Sequence, residues 1–132
     1  MKESRLIAPL VIFSIILFDQ TSKYKIATGA CNRGIAFGVS ANATLISAVV
    51  LLIIFGMLLR EKNQIERIGF LMIFAGGLSN LFDRLVVGCV RDFVKIGSFP
   101  TFNFADLAIT IGVCVLLWGL FSKSSKRGLN NS

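Results

Sequence analysis

Apolar residues are gathered into four long runs, and polar residues lie mostly between them. The first run spans about Leu6–Phe18 and continues through a polar end to about Tyr24. The second spans about Ala43–Leu59, the third about Ile68–Val87 and the fourth about Phe104–Phe121. Each approaches the roughly 20 residues needed to cross a hydrocarbon layer about 30 Å thick. Backbone N–H and C=O groups cannot stay unpaired in lipid, so each run is predicted to be a helix. The pattern therefore predicts an all-α membrane protein with four transmembrane helices near residues 6–24, 43–59, 68–87 and 104–121, joined by short loops. The polar, basic stretch Ser122–Ser132 is predicted to be a frayed tail. No internal repeat is evident, and 132 residues leave room for one domain, residues 1–132.

Composition sharpens that picture. Apolar residues make up 55% of the chain and charged ones 16%, against about 45–50% and about 25% in soluble domains. Mean hydropathy is +0.77. A net charge of +7 would suit a nucleic-acid binder. Such proteins do not devote most of their length to apolar runs, so no nucleic-acid partner is expected. Membrane proteins use the same Lys and Arg to set orientation. Four spans put both termini on one side. If that side is the cytoplasm, the inner segments carry Lys2, Arg5, Arg60, Lys62, Arg67, Lys123, Lys126 and Arg127, and the outer ones carry Lys23, Lys25, Arg33, Arg84, Arg91 and Lys95. Lys23 and Arg84 each lie within a helical turn of an Asp. With those two set aside as paired, the bias is eight to four and favours an N-in, C-in orientation. All three glutamates then fall inside. All four aspartates (Asp19, Asp83, Asp92 and Asp106) fall at or beyond the outer surface, which suggests a site there.

The chain has no His, which removes Ser-His-Asp and Cys-His catalysis and most zinc and iron sites. Cys31, Cys89 and Cys114 have no CxxC spacing, so neither a metal nor another cofactor is expected. Cys31 and Cys89 both fall on the outer side. Whether they meet in a disulfide depends on geometry that the sequence does not fix. Lys2 and Arg5 precede a 13-residue apolar run, and Gly29-Ala30-Cys31 lies beyond it, a faint likeness to a cleaved leader. However, Asp19, Gln20, Lys23 and Lys25 stand between run and box, whereas a processed leader keeps its cleavage site close behind the run. The first run is read as a retained span.

Several polar groups could carry chemistry. Asp19 and Lys23 are i and i+4, share a helix face and can pair; an ion pair that merely anchors the span is an equal alternative. Ser22-Lys23 suits a Ser-Lys dyad poorly, because adjacent helical residues point about 100° apart. Asn32-Arg33-Gly34-Ile35-Ala36-Phe37-Gly38 reads either as tight turns that let backbone approach a partner or as a plain connector. Gly76 and Gly77 permit close helix approach. Beyond them Asn80, Asp83 and Arg84 form one polar stripe on an apolar helix. A charge within a span costs at least about 2.5–3.5 kcal/mol, less if Asp83 and Arg84 face inward together. The stripe is either a clamp between helices or a substrate contact. Asp92 follows the third run, and Asp106 opens the fourth, where the helix dipole favours negative charge. They lie 14 residues apart, across a loop containing Pro100 that is short enough to bring the two carboxylates together. Such a pair shares one proton and can serve as base and acid around a water molecule. The simpler alternative, in which Asp106 caps its helix and Asp92 pairs with Arg91 or Lys95, is favoured by spacing alone.

The motifs in their order resemble those of bacterial lipoprotein signal peptidase, also called signal peptidase II. The matching stretches are Asp19-Gln20 with Ser22-Lys23, Asn32-Arg33-Gly34 with Ala36-Phe37, Gly76-Gly77 with Asn80 and Asp83-Arg84, Gly88 with Val90 and Asp92-Phe93, and Phe102-Asn103 with Ala105-Asp106. They run from the first span to the fourth. The resemblance implies an aspartic endopeptidase of the bacterial inner membrane, with its site near the extracytoplasmic surface. It would cut signal peptides from prolipoproteins just before a Cys that bears a diacylglyceryl group. By motif, the catalytic aspartates are Asp92 and Asp106, and the supporting residues are Asp19, Lys23, Asn32, Asn80, Asp83, Arg84 and Asn103. The implied partners are diacylglyceryl-modified prolipoproteins, membrane lipids and inhibitors of the globomycin type, and the expected state is a monomer. Members of the family carry a longer first outer loop with β structure that cradles the substrate. Here only eight residues separate Lys23 from Asn32, which leaves room for minor β structure only.

Two other classes compete with the peptidase. A small transporter or channel would spread its charges through the depth of the spans, whereas these gather at one predicted face. An inactive relative that only binds lipoproteins would keep the motifs without the cleavage.

Overall fold

A computed structural model describes residues 3–26, 30–34 and 42–130. Ile35–Gly38 of the first-loop motif, Gly29, Lys2 and Ser132 lie outside the described residues. The elements run in the order α1 (Glu3–Ile26), β1 (Ala30–Asn32), α2 (Ala43–Arg60), α3 (Gln64–Val86), β2 (Val90–Asp92) and α4 (Phe104–Asn130). All four helices are long and apolar enough to cross a membrane. At 1.5 Å per residue, the 23 residues of α3 reach about 34 Å, enough for the roughly 30 Å hydrocarbon layer.

Side chains are distributed as the four-span reading requires. The largest fully buried side chains are Lys23, Asn103, Asp19, Asp83 and Ser79, every one of them polar. Large apolar residues such as Leu6, Leu10, Phe13, Leu52, Leu59 and Trp118 point outward. This inversion suits a bilayer, where lipid tails solvate apolar surface and polar groups must find partners inside the bundle.

Helix α3 is central and packs against the other three. Its antiparallel fit to α4 rests on missing side chains. A Cβ at Gly76 would run into the Ala105 carbonyl oxygen, one at Gly69 would sit 2.9 Å from the Gly112 oxygen, and one at Gly112 would sit 2.7 Å from the Gly69 oxygen. This register sets Asp83 and Asp106 at one end of the bundle. It sets Glu66 at the other end, paired with Lys123. Leu58, Phe70 and Leu71 form a small apolar core near that second end, with Ala8, Ile12, Ile54 and Leu116 packed on it.

Helix α1 extends two or three residues past each predicted end, and two boundaries differ by more. Helix α3 begins at Gln64, before the apolar run, because Asn63 caps it by accepting from the Ile65 and Glu66 amides. Helix α4 continues to Asn130 where a frayed tail is expected. Lys123, Lys126 and Arg127 suit the negative end of a helix dipole, and Lys123 is tied to α3 through Glu66.

Where α3 ends, the amides of Val87 and Gly88 both donate to the Asp83 carbonyl. Gly88 takes φ +89°, a left-handed conformation that glycine adopts without a Cβ clash. The reversal sends β2 back along the bundle end. There it pairs antiparallel with β1 in the register Ala30↔Asp92, Cys31↔Arg91 and Asn32↔Val90. A bridge between Val94 and Phe102 then closes the loop that delivers the chain to α4.

Candidate active site

The buried polar residues of the β1–β2 end form one connected network. From α1, Lys23 Nζ lies 2.6 Å from Asp19 Oδ2, with both side chains fully buried. The expected i, i+4 pair is present, but it faces inward and anchors more than its own span. Asp19 also accepts from Ser79 Oγ at 2.7 Å and from the Ala105 amide at 2.9 Å. The second bond satisfies one of the orphan amides at the start of α4 and docks α1 on that helix. Lys23 reaches on to Asn80 Oδ1 at 3.0 Å and to Asp83 Oδ2 at 3.4 Å.

The main partner of Asp83 is Arg91, not Arg84. Arg91 donates from Nη2 to Oδ1 at 2.9 Å, from Nε to Oδ2 at 3.2 Å and from its backbone amide to Oδ2 at 2.9 Å. Gln20 Nε2 adds a 2.9 Å bond to Oδ1, and Gln20 Oε1 accepts from Arg91 Nη2 at 2.8 Å. Neighbours on a helix diverge by about 100°, so Arg84 leaves along another face. The Gly88 reversal returns Arg91 over Asp83 instead. The bonds to Asp83 hold the Arg91 guanidinium above its ordinary range, against the opposing effect of burial. Arg84 Nη2 donates to the Gly34 carbonyl at 2.7 Å, and its buried Nε has no hydrogen-bond partner among the described residues.

Asn103 joins the two remaining carboxylates. Its side chain accepts from the Asp106 amide at 2.9 Å, and Asp106 Oδ2 accepts from the Asn103 amide at 3.1 Å. This reciprocal pair is a capping box at the start of α4. The same Asn103 donates from Nδ2 to Asp92 Oδ1 at 2.9 Å, to Asn80 Oδ1 at 3.0 Å and to the Arg91 carbonyl at 3.3 Å. Asn80 Nδ2 donates to Asp106 Oδ1 at 2.9 Å. Asp106 therefore does cap its helix, but one of its oxygens also belongs to the network. Asp92 is not paired with Arg91, because alternation along β2 turns the two side chains apart.

Asp92 is 3% exposed. Burial pushes its carboxyl up from 3.8 to about 6, and the Asp106 charge adds to the rise; Asn32, Lys23 and Asn103 act in the opposite direction. Asp92 and Asp106 both line a cavity of about 640 Å³ between α2, α3 and α4. Asn32, Asn80 and Arg84 share its polar end. Val50, Leu51, Ile54, Ile73 and Ile109 make its apolar wall, and Phe99, Pro100 and Phe102 border it from the loop. Gly77 leaves room for that wall, since a Cβ there would lie 2.6 Å from Leu51 Cδ2.

All nine residues picked out by motif thus meet at one end of the bundle. Gln20, Ser79 and Arg91 belong to the same network, although the motif reading gives them no role. Gln20 stands in the matching stretch Asp19-Gln20, and Ser79 adjoins Asn80 on its helix, which are the signals the sequence offers for them. Cys31 and Cys89 form a disulfide, with Cα atoms 5.5 Å apart.

Comparison with known proteins adds identity. A family model described as Signal peptidase (SPase) II matches residues 11–122. The lipoprotein signal peptidase of Moorella thermoacetica is 31% identical over an alignment covering 90% of this chain and 95% of that protein. That of Borrelia duttonii is 29% identical, over 96% of this chain and 97% of the relative. Its alignment runs over 166 positions, more than the 132 residues of this chain, so the relative carries segments that this chain lacks. A bacterial membrane enzyme solved by the in meso method at 2.3 Å resolution superposes with a TM-score of 0.79 at 28% identity, covering 91% of this chain and 90% of that one.

Proposed function

The chain belongs to the signal peptidase II family of bacterial membrane proteases, and from that premise we propose that Asp92 and Asp106 are its catalytic pair. The family removes signal peptides from lipoproteins. In the proposed reaction, water attacks the peptide carbonyl just before a diacylglyceryl-modified Cys. The observation that carries this reading is that Asn103 bonds to both Asp92 and Asp106 at the polar end of a cavity whose other wall is apolar.

Charge balance supports a dyad that holds one proton. Asp19, Asp83, Asp92 and Asp106 are four acids in the buried network. Lys23, Arg84 and Arg91 are the cations among them. Four acids against three cations leave one excess negative charge. In a site of low dielectric, a single shared proton removes it. Asp92, with its raised pKa, is the proton holder. Asp106 accepts from Asn80 and Asn103 at the positive end of α4 and is the base.

Asp106 takes a proton from water as the water oxygen bonds to the peptide carbonyl carbon, and Asp92 gives its proton to the carbonyl oxygen. The C–N bond then breaks. Asp106 passes its proton to the departing amine of the Cys, and Asp92 recovers one from a hydroxyl of the intermediate. No bond to the enzyme forms. Arg84 and Asn32 are placed to hold the substrate backbone, and the apolar wall to receive acyl chains. A lipid-modified substrate remains in the bilayer, so its scissile bond lies at the interface, the depth of this end of the bundle. The disulfide supports placing that end outside the cytoplasm, since such bonds persist in oxidising compartments.

The test uses purified protein in detergent with a diacylglyceryl-modified prolipoprotein, and follows release of the signal peptide on a gel. Wild type is expected to cleave, while Asp92→Asn and Asp106→Asn each fold and do not. Full activity in either variant refutes the pair.

A further inference from the structure

The two strands beside the site are held very differently. β2 is anchored by the Arg91 bonds to Asp83 and Gln20, by Asn103 and by the Val94–Phe102 bridge that follows it. β1 has three residues, and the stretch just after it is tied to the helices by one hydrogen bond, from Arg84 to the Gly34 carbonyl. Otherwise it depends on three register pairs with β2 and on the disulfide that joins Cys31 to Cys89 across 58 positions of sequence. Two strands so short do not pair stably in water by themselves. Yet β1 carries Asn32, which lines the catalytic cavity with Asp92 and, by the register of the ladder, lies on the same face of the two strands.

We infer that the Cys31–Cys89 disulfide is a positioning device for catalysis, holding Asn32 against Asp92, so that peptidase activity depends on its being oxidised. The inference rests on the reading of Asp92 as catalytic. The Cys31 end is exposed and the Cys89 end buried, so an external thiol has a route to the bond. A dithiol reductant would supply two electrons and two protons and close to its own disulfide, leaving Cys31 and Cys89 as thiols. Asn32 would then be held only by the short ladder.

The effect reaches the chemistry through Asp92. Its carboxyl is faced by Asp106 from α4, Lys23 from α1, Arg84 from α3 and the Asn32 side chain from β1, and it accepts a bond from Asn103. Of these, only Asn32 sits on the stapled strand. The Asn32 side chain favours the ionised form, so its withdrawal moves the Asp92 titration further up. A purely structural staple would lower the amount of folded enzyme without moving that limb.

The experiment uses the full-length protein carrying Cys114→Ala, which removes the remaining cysteine from an exposed position on α4. Cleavage of the diacylglyceryl-modified prolipoprotein is measured before dithiothreitol, after it, and after reoxidation, with thiols counted by alkylation and mass. Reduction is expected to free two thiols, lower kcat by about tenfold to a hundredfold, the scale of a small misplacement in an active site, and shift the Asp92 limb of the pH profile upward. Reoxidation should restore both kcat and the pH limb. Cys31→Ser with Cys89→Ser should match the reduced enzyme and ignore dithiothreitol. Two free thiols in the untreated enzyme, or a reduced enzyme with unchanged kcat and pH limb, would overturn the inference. If reduction unfolds the protein, Asn32→Ala with the bridge intact decides the matter: the same kcat loss and limb shift support it, and an unchanged enzyme overturns it. Failure of the underlying reading is distinct, because it appears as activity in Asp92→Asn.

Discussion

Replacing Asp92 by Asn separates the stability effect of this carboxyl from its catalytic one. In the folded protein its pKa rises from 3.8 to about 6, a difference of about 2 units, or about 3 kcal/mol at 1.36 kcal/mol per unit. The sign follows from proton linkage. The folded state holds this proton more tightly than the unfolded state. The contribution to stability is therefore fully present below about pH 3.8 and is lost as pH rises through about 6. At pH 8 the wild-type fold carries an ionised Asp92 at a cost of about 3 kcal/mol, about a fifth to three-fifths of the whole stability of a small protein. Asn never ionises, and its Oδ1 still accepts the bond from Asn103 Nδ2, which measures 2.9 Å to Asp92 Oδ1. Asp92→Asn should therefore be inactive at every pH, yet unfold at a higher temperature than wild type at pH 8 and at nearly the same temperature at pH 4. The assay is thermal unfolding in one detergent at both pH values, beside cleavage of a diacylglyceryl-modified prolipoprotein. Equal shifts at the two pH values, or a variant less stable at pH 8, would show that the neighbours favour the Asp92 carboxylate and would refute the argument. The same titration sets the wild-type pH profile: activity should fall as pH rises through about 6, where the proton donor is lost.

Lys23→Met strands Asp19 without its cation and should cost about 3–5 kcal/mol; adding Asp19→Asn should recover much of that loss, read as detergent Tm, without restoring activity. Gly76→Ala should push the start of α4 away, because a Cβ there meets the Ala105 carbonyl and lies 2.9 Å from Ile109 Cγ1. Cleavage should drop well before expression does, whereas Gly56→Ala, with nothing within 4 Å of the new Cβ, should be neutral or stabilising by up to about 1 kcal/mol. Asn103→Ala removes a helix cap worth about 1 kcal/mol together with the link between the two carboxylates. Its kcat should therefore fall far more than its Tm, and equal residual activity in wild type and variant would argue against the link.

Hydropathy made the four spans legible, because a helix that must hide its backbone from lipid leaves a long apolar signature. Helix ends were less legible, since local caps and ion pairs set them: Asn63 starts α3 ahead of its apolar run, and Lys123 with Glu66 supports the extension of α4. The site residues were legible as motifs in order, but their partners were not. Adjacency on a helix suggested Arg84 for Asp83, whereas the actual partner, Arg91, arrives by way of the Gly88 reversal. Gln20 and Ser79 act on residues about 60 positions away, and Cys31 and Cys89 are 58 apart. Such pairings arise where separate helices and strands pack together, which periodicity along one helix does not encode.

In a soluble enzyme, a polar site is set into an apolar core that holds the fold together. Here lipid gives apolar side chains no reason to leave the surface, and the polar network is the interior of this end of the bundle. Asp19 docks α4 as well as neutralising Lys23, Arg91 ties β2 to α3 and α1, and Asn103 caps α4 while joining the carboxylates. Substitutions in those residues must therefore disturb stability and activity together. Asp92 differs from these. It makes no ion pair among the described residues, burial acts against its charge, and it caps no helix. A group whose environment opposes its ionised form and which ties no two helices together is where function rather than folding accounts for the residue. For that reason, a gain in stability on its removal at high pH is a sharper test of its role than loss of activity alone.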